Sequence, residues 1–374
     1  MYEIAIKTLI ADRGKLITAL VGVIFSVVLV NIQGGLFLGL VRKASLLVDY
    51  GEADIWVGHR NMHAVDFPRD IPTRWVYRLR GIPGVRRAEP YLIGFSEMTL
   101  PSGGYESLVV VGVDRESLLG NAWNLIEGRP ESILQTDGVV VDVGDDAKLE
   151  YPHVGELREI GGRRVRIVGK SHGILGFLVT PYVFTTFEQA AVFSRKDPEV
   201  CSYFLVQIAP DADVDAVCQA IQGRLPDADV YPRNQYSRVS INYWMTRTGL
   251  GISFGAATTL GLLIGLVMVA QALYALVLDR IGDFGTLKAI GADEQQVYRL
   301  LLVQAVVLAF AGAVLGLLLV AIMHWGFHSD KAPILIPLWL SLGSCLLVTV
   351  ICIASSILPY LRLRRVDPLV ILQG

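Results

Sequence analysis

The sequence predicts an α-helical membrane protein with four transmembrane helices and a mixed α/β extracytoplasmic domain inserted between helices 1 and 2. Three observations carry this prediction. Of 374 residues, 53% are hydrophobic and only 18% charged, whereas roughly 25% of a soluble globular chain is charged. The charges are crowded, with 50 of 68 inside residues 42–247 and 18 in the remaining 168. Four uncharged stretches of 23 to 29 residues exceed the roughly 20 needed to cross a hydrocarbon core of about 30 Å. The net charge of −2 gives no basic footprint, so nucleic acid is not expected as a partner. Four cysteines in so long a chain do not make a disulfide scaffold.

Taken in order, residues 1–15 read as a cytoplasmic amphipathic segment carrying Lys7, Arg13 and Lys15. Residues 16–41 are the first span. Their 26 uncharged residues far exceed the roughly 7–15 of a signal-peptide core, and no small-x-small cleavage site follows, so a retained anchor is expected. Residues 42–247 form the extracytoplasmic domain. Within it, residues 54–57, 106–113, 138–143, 163–168 and 204–208 are β-branched runs ended by turn residues, hence strands. Residues 73–80 and 214–224 are the helix candidates. Each leads through a short turn to a second extended run, at 85–91 and 229–231. This echo suggests two similar α/β halves with a small β insert near residues 135–185. Residues 250–278 are the second span, 279–299 an inner loop, 300–323 the third span, 324–337 a short external loop, 338–360 the fourth span and 361–374 the tail.

Orientation follows the Lys and Arg residues near the span ends. The inner loop holds Arg280, Lys288 and Arg299 and the tail holds Arg362, Arg364 and Arg365, against Lys331 alone in the external loop. Arg42 and Lys43 run against this trend, but long translocated segments obey the rule poorly. Both termini are therefore expected in the cytoplasm. The large domain then lies outside, in a bacterium the periplasm beyond the inner membrane.

Several motifs invite a chemical reading. Gly169-Lys170-Ser171-His172-Gly173 matches the G-x-S-x-G elbow, which requires a strand, a sharp turn and a helix. Residues 174–181 make a poor helix, so a turn after an edge strand is expected, with a Ser171-dependent membrane hydrolase as the sharper alternative. The same Gly-Lys-Ser resembles the end of a Walker A loop, but Arg164 stands where its first glycine is required. No nucleotide site is expected in the chain itself. His59/His63 and His324/His328 are H-x3-H pairs that a helix would place on one face, with Asp66 and Asp330 as third ligands. Neither set has convincing metal spacing, so no metal is expected. Cys201 and Cys218 could pair in an oxidising compartment or remain buried thiols, and Cys345 and Cys352 read as small packing residues. Asn31, Gln33, Gln271 and Gln304 lie at membrane depth and must find partners, by helix–helix hydrogen bonds or by substrate contact. Gly35/Gly39, Gly261/Gly265 and Gly312/Gly316 are small-x3-small patterns that permit close contact between helices or between subunits.

The most informative stretch is the inner loop from Asp279 to Arg299. Phe284, Leu287 and Ala289/Ile290 recur at helical spacing, and Gly291 is a natural C-terminal stop. A short amphipathic helix across the cytoplasmic face needs cover for its apolar side. That cover is either the lipid interface or a groove on a cytoplasmic protein.

Here the chain resembles the FtsX-like, MacB-type ABC permeases of the mechanotransmission class. Their loop reads like E-R-x-x-E-I-G-x-x-R-A-x-G-A, and Asp279, Arg280, Asp283, Phe284, Gly285, Lys288, Ala289, Gly291 and Ala292 stand at the matching places. The departures are Asp for Glu twice, Phe284 for an aliphatic and Lys288 for arginine. The tail at 363–372 resembles the family's terminal R-x-D-P-x-x-A-L, and residues 138–141, 155–157 and 163–169 resemble its extracytoplasmic β region. The compact form is most similar to the DevC-like branch. The resemblance implies a permease homodimer, a second copy of the chain beside the first, bound to a separate ABC ATPase. Asp283, Phe284, Gly285, Thr286, Leu287, Lys288, Ala289 and Gly291 would form the coupling helix. It implies no catalysis and no cofactor in the chain, ATP being bound by the partner. It further implies contact with membrane lipids and, for DevC-like members, a membrane-fusion protein and an outer-membrane channel. The expected activity is export or outer-leaflet extraction of a substrate. The alternatives are FtsX-type regulation of a cell-wall hydrolase and lipoprotein release.

Overall fold

The computed structural model describes residues 13–178, 180–279, 294–326, 334–357 and 360–361. They fall into two compact units, one within Met1–Gly39 and Ile252–Gly374, the other over Leu40–Gly251.

Four helices build the first unit: Arg13–Lys43, Leu250–Asp279, Glu294–Gly326 and Leu338–Ser355. All four are long and apolar enough to cross a membrane. The first three helices run past the uncharged stretches, the first including Arg13, Arg42 and Lys43, whereas the fourth ends at Ser355, within its expected span of 338–360. The shared core is made mainly of small and β-branched side chains: Ala19, Val23 and Val27 of the first helix, Val269 and Ala272 of the second, Ala305 and Ala309 of the third together with its Leu308, and Val348 and Cys352 of the fourth. Their spacing of three or four residues puts each set on one helical face. Many of the large apolar residues point the other way, with Leu263, Phe310, Leu318, Leu342 and Leu346 all exposed, while Leu301 and Leu308 are buried. Lipid tails are as apolar as leucine, so small residues that let backbones approach are what holds such a unit together.

The inserted domain runs in the order α1 (Leu46–Tyr50), β1 (Ile55–His59), β2 (Ile71–Pro72), a 3-10 turn (Thr73–Trp75) continuing into α2 (Val76–Arg80), β3 (Val85–Thr99), β4 (Tyr105–Val113), β5 (Leu125–Glu127), β6 (Gly138–Asp142), β7 (Leu157–Ile160), β8 (Arg163–Ser171), β9 (Tyr182–Thr186), α3 (Phe187–Phe193), β10 (Val200–Cys201), β11 (Tyr203–Ile208), α4 (Val214–Arg224), β12 (Ala228–Pro232) and α5 (Arg233–Arg247). Ten of the described strands join one sheet in the order β12-β1-β11-β3-β4-β9-β6-β8-β5, with β7 bridging β3 and β8. The other two, β2 and β10, pair with each other.

The first four places, β12-β1-β11-β3, are antiparallel throughout. They hold two interleaved β-α-β units, β1-α2-β3 and β11-α4-β12, the split βαβ arrangement. The internal echo in the sequence corresponds to these two units. Alternation decides which side chain goes where. Ile55, Val57, Phe204 and Val206 face α2 and α4, while Trp56, Tyr203 and Leu205 face the opposite core with Leu46 and Tyr236. Both faces are covered, so the strands read as nearly continuous apolar runs.

The expected small insert is larger and less separate than the sequence implied. Strand β3 is 15 residues long. Its first half pairs β11 and its second half pairs β4, so one strand serves both parts of the sheet. Strands β4 to β9 continue that sheet with two parallel pairs, β4–β9 and β6–β8.

Candidate functional site

Among the spans, the polar groups gather at Asn31, which is fully buried. Its Nδ2 donates to Val27 O at 2.8 Å and to Ser344 Oγ at 2.7 Å. Ser341 Oγ donates to Asn31 Oδ1 at 3.2 Å, so the first and fourth helices are joined in both directions. Ser355 Oγ donates across to Leu266 O. Gln304 is buried, Gln33 half-buried and Gln271 exposed.

The glycine patterns lie at helix crossings within the one chain. A side-chain carbon at Gly261 would strike Leu29, and one at Gly265 would strike Ser26, both on the first helix. Gly312 and Gly316 face Val23 and Val27 in the same way. Gly35 backs onto residues 334–336, with its carbonyl accepting from Leu335 N at 3.0 Å. A leucine at position 35 would strike Ile334 and Ile336 of the same chain. Gly39 continues the first helix.

In the inserted domain, one serine ties together the place where the chain comes in and the helix on which it leaves. Ser240 of α5 is fully buried. Its Oγ donates to Ala44 O at 2.5 Å and accepts from Val65 N at 3.3 Å. Tyr203 OH of β11 donates to Val65 O at 3.1 Å, fastening the same residue to the sheet. One helical turn either side of Ser240 stand Tyr236 and Trp244. Tyr236 packs against Trp56 and Tyr203, and Trp244 against Phe177 at a ring separation of 3.9 Å. Helix α5 therefore meets the sheet through buried, hydrogen-bonded and aromatic contacts. Nothing in the sequence singled out Ser240. Its only signal is the line Tyr236, Ser240, Trp244 at spacing four.

The chemically suggestive motifs have structural roles. Ser171 ends β8, is buried, and donates from Oγ to Asp142 Oδ2 at 2.9 Å. Asp142 also accepts from the backbone N–H groups of Gly144, Gly173 and Ile174. The segment after Ser171 is not helical, so the elbow is absent and the serine fastens a turn. Lys170 Nζ is held by both carboxylate oxygens of Asp146, at 2.8 and 2.9 Å. His59 and His63 are not on a helix; His59 ends β1, and His63 stacks on Tyr243. Among the described residues no three His, Cys, Asp or Glu side chains assemble into a metal site. His328 and Asp330 lie outside the described residues. Cys201 and Cys218 are both free thiols, and burial pushes the Cys218 thiol up to about 11. The coupling segment with Asp283, Phe284, Gly285, Thr286, Leu287, Lys288, Ala289 and Gly291 also lies outside the described residues.

Comparison with known proteins is consistent along the chain. The MacB-like periplasmic core domain matches residues 16–224, more than half of the chain, and the FtsX-like permease C-terminal domain matches residues 255–368. Two Mycobacterium tuberculosis proteins, from strains CDC 1551 and H37Rv, are each 24% identical over 220 residues. Both are described as uncharacterised ABC transporter permeases, and the match covers 58% of this chain and 57% of theirs. Among solved structures, the periplasmic region of MacB from Actinobacillus actinomycetemcomitans aligns at 10% identity and a TM-score of 0.40, over 50% of this chain and 92% of that one. The extracellular domain of the noncanonical ABC-type transporter YknZ aligns at 12% identity and a TM-score of 0.36, over 47% of this chain and 98% of that one. With a split βαβ sheet inserted between the first and second of four membrane-length helices, and with both domain families matched in that order, the chain belongs to the ABC transporter permeases of the MacB/FtsX type.

Proposed function

We propose that the chain is the membrane subunit of an ABC system that exports a substrate or draws it from the outer leaflet. Two copies of the chain sit in a bacterial inner membrane, with residues 1–15 and 361–374 cytoplasmic and the inserted domain periplasmic. A separate ATPase binds ATP, and the chain itself carries no cofactor and no catalytic group. Segment 279–299 takes up the motion of the ATPase, and the second span passes it to α5. There the buried Ser240 link hands it to the sheet. A membrane-fusion protein and an outer-membrane channel complete the path in the branch this chain most resembles. The observation that carries the reading is the match of both permease domains, in order, along one chain.

Labelling with a membrane-impermeant thiol reagent tests this arrangement, using single cysteines at positions 130 and 286. Position 130 should react in intact spheroplasts and position 286 only after lysis. Adding ATP and the ATPase to reconstituted permease should then change the labelling rate at position 130. Labelling of both positions from outside would contradict the four-span arrangement.

A further inference from the structure

The loop between β1 and β2 carries a buried acid that the transport reading does not use. Asp66 is 2% exposed. Its Oδ1 accepts the hydroxyl of Tyr182, the first residue of β9, at 2.5 Å. The indole N–H of Trp244 on α5 acts on the same carboxyl, and neither Trp244 Nε1 nor Asp66 Oδ2 has another partner among the described residues. The preceding residue, Val65, is the one held by Ser240 and Tyr203. Two adjacent residues therefore touch β9 of the inserted strands, β11 of the split βαβ sheet, and α5.

The groups that act on the Asp66 carboxyl are Tyr182 from β9 and Trp244 from α5. It acts in turn on Tyr203 from β11 and Tyr236 from α5. None of these is basic. The nearest imidazole in the loop, His63, stacks on Tyr243. A carboxylate buried without a cation is strongly disfavoured, whereas a neutral acid can still accept from Tyr182 and from the Trp244 indole without burying a charge.

We propose that Asp66 is a positioning residue that fixes helix α5 to the inserted strand β9, and that it does so as a neutral acid. This rests on the reading above, in which α5 drives the inserted domain. Burial, the largest influence, raises the carboxyl above its ordinary value of 3.8, against smaller lowering by Tyr182 and Trp244. The sign follows from linkage. With the folded value raised, the contribution is complete below 3.8 and is lost as pH rises through the folded value. Each pH unit in that window changes the ratio of closed to open joint by up to about tenfold. A rise in external pH therefore loosens the joint, and acidification tightens it.

Hydrogen exchange of the full-length chain in nanodiscs, corrected for intrinsic rates, tests this from about pH 4, near the ordinary carboxyl value, to about pH 8. Protection of residues 180–186 and 233–247 should fall together as pH rises in the wild type. Asp66→Asn keeps an uncharged acceptor for Tyr182, so its protection should lie near that of the wild type at low pH and stay there. Asp66→Ala and Tyr182→Phe should lower protection of residues 180–186 at every pH. Asp66→Asn retains His63, so an unchanged pH dependence in that variant would overturn the proposal. So would wild-type protection that does not vary with pH, or an asparagine variant that opens like the alanine one. These measurements need no ATPase. Adding ATPase and ATP should change exchange in both segments of the wild type but only in residues 233–247 of Asp66→Ala. If ATP changes neither segment in the wild type while the pH results hold, the permease reading fails and the joint stands.

Discussion

The spans and the inserted domain use similar apolar residues in opposite places. In the membrane unit the interior is Ala19, Val23, Val27, Ala305 and Ala309, while Phe310 and Leu346 lie about 70% exposed. In the domain the interior is Trp56, Tyr91, Phe184 and Phe204, each essentially fully buried. The solvent accounts for the reversal. Water drives large apolar surface inward, at roughly 25 cal/mol per Å², and lipid supplies no such drive. The domain should therefore be sensitive to loss of volume, and the spans to gain of volume.

The largest effect is expected from emptying the domain core. Trp56 lies within 5.6 Å ring separation of Tyr91, Tyr203 and Tyr236. Trp56→Ala should cost about 3–5 kcal/mol, read as an earlier urea midpoint for proteolysis within residues 44–247. Next comes overfilling of a span crossing. Gly265→Val forces a side chain into Ser26 and should cost about 1–3 kcal/mol in thermal unfolding of the detergent-solubilised chain. Gly255→Ala, which meets nothing within 4 Å, should not destabilise. Equal effects at the two glycines would break the comparison, because general helix propensity would then explain both. The smallest effect is expected at Ser171. Asp142 keeps three backbone donors without it, so Ser171→Ala should cost about 1 kcal/mol and leave transport unchanged. Loss of transport at normal protein level would revive the hydrolase reading.

The same contrast explains what the sequence disclosed. The spans were legible because a membrane-length helix needs an uncharged run and nothing else. Helix α4 was legible to the residue, since Asp213 caps it and Val217 and Ile221 mark a single buried side. Helix α5 was not. Its buried line is Tyr236, Ser240 and Trp244, and a serine at the centre of that line breaks the apolar pattern. The double use of β3 was hidden as well, because a strand's sequence records which faces are buried and not which strands lie beside it. Ser240 and Asp66 matter through partners 196 and 116 residues away, a separation that no local pattern encodes. The resemblance to the permease family, by contrast, rested on short local motifs, and the family follows from matches over residues 16–224 and 255–368.

In the proposed function the chain is driven by a separate ATPase through residues 279–299. Phe284→Asp tests it most directly, in permease co-expressed with its ABC ATPase. Removing an aromatic anchor from a docking groove costs about 2 kcal/mol or more, roughly thirtyfold in affinity. Phe284→Asp should therefore insert normally, keep the inserted domain folded, lose co-purification with the ATPase, and match an ATPase deletion in phenotype. Lys288→Ala should do less. Full ATPase binding and full function in Phe284→Asp would contradict the claim and leave this segment lying on lipid.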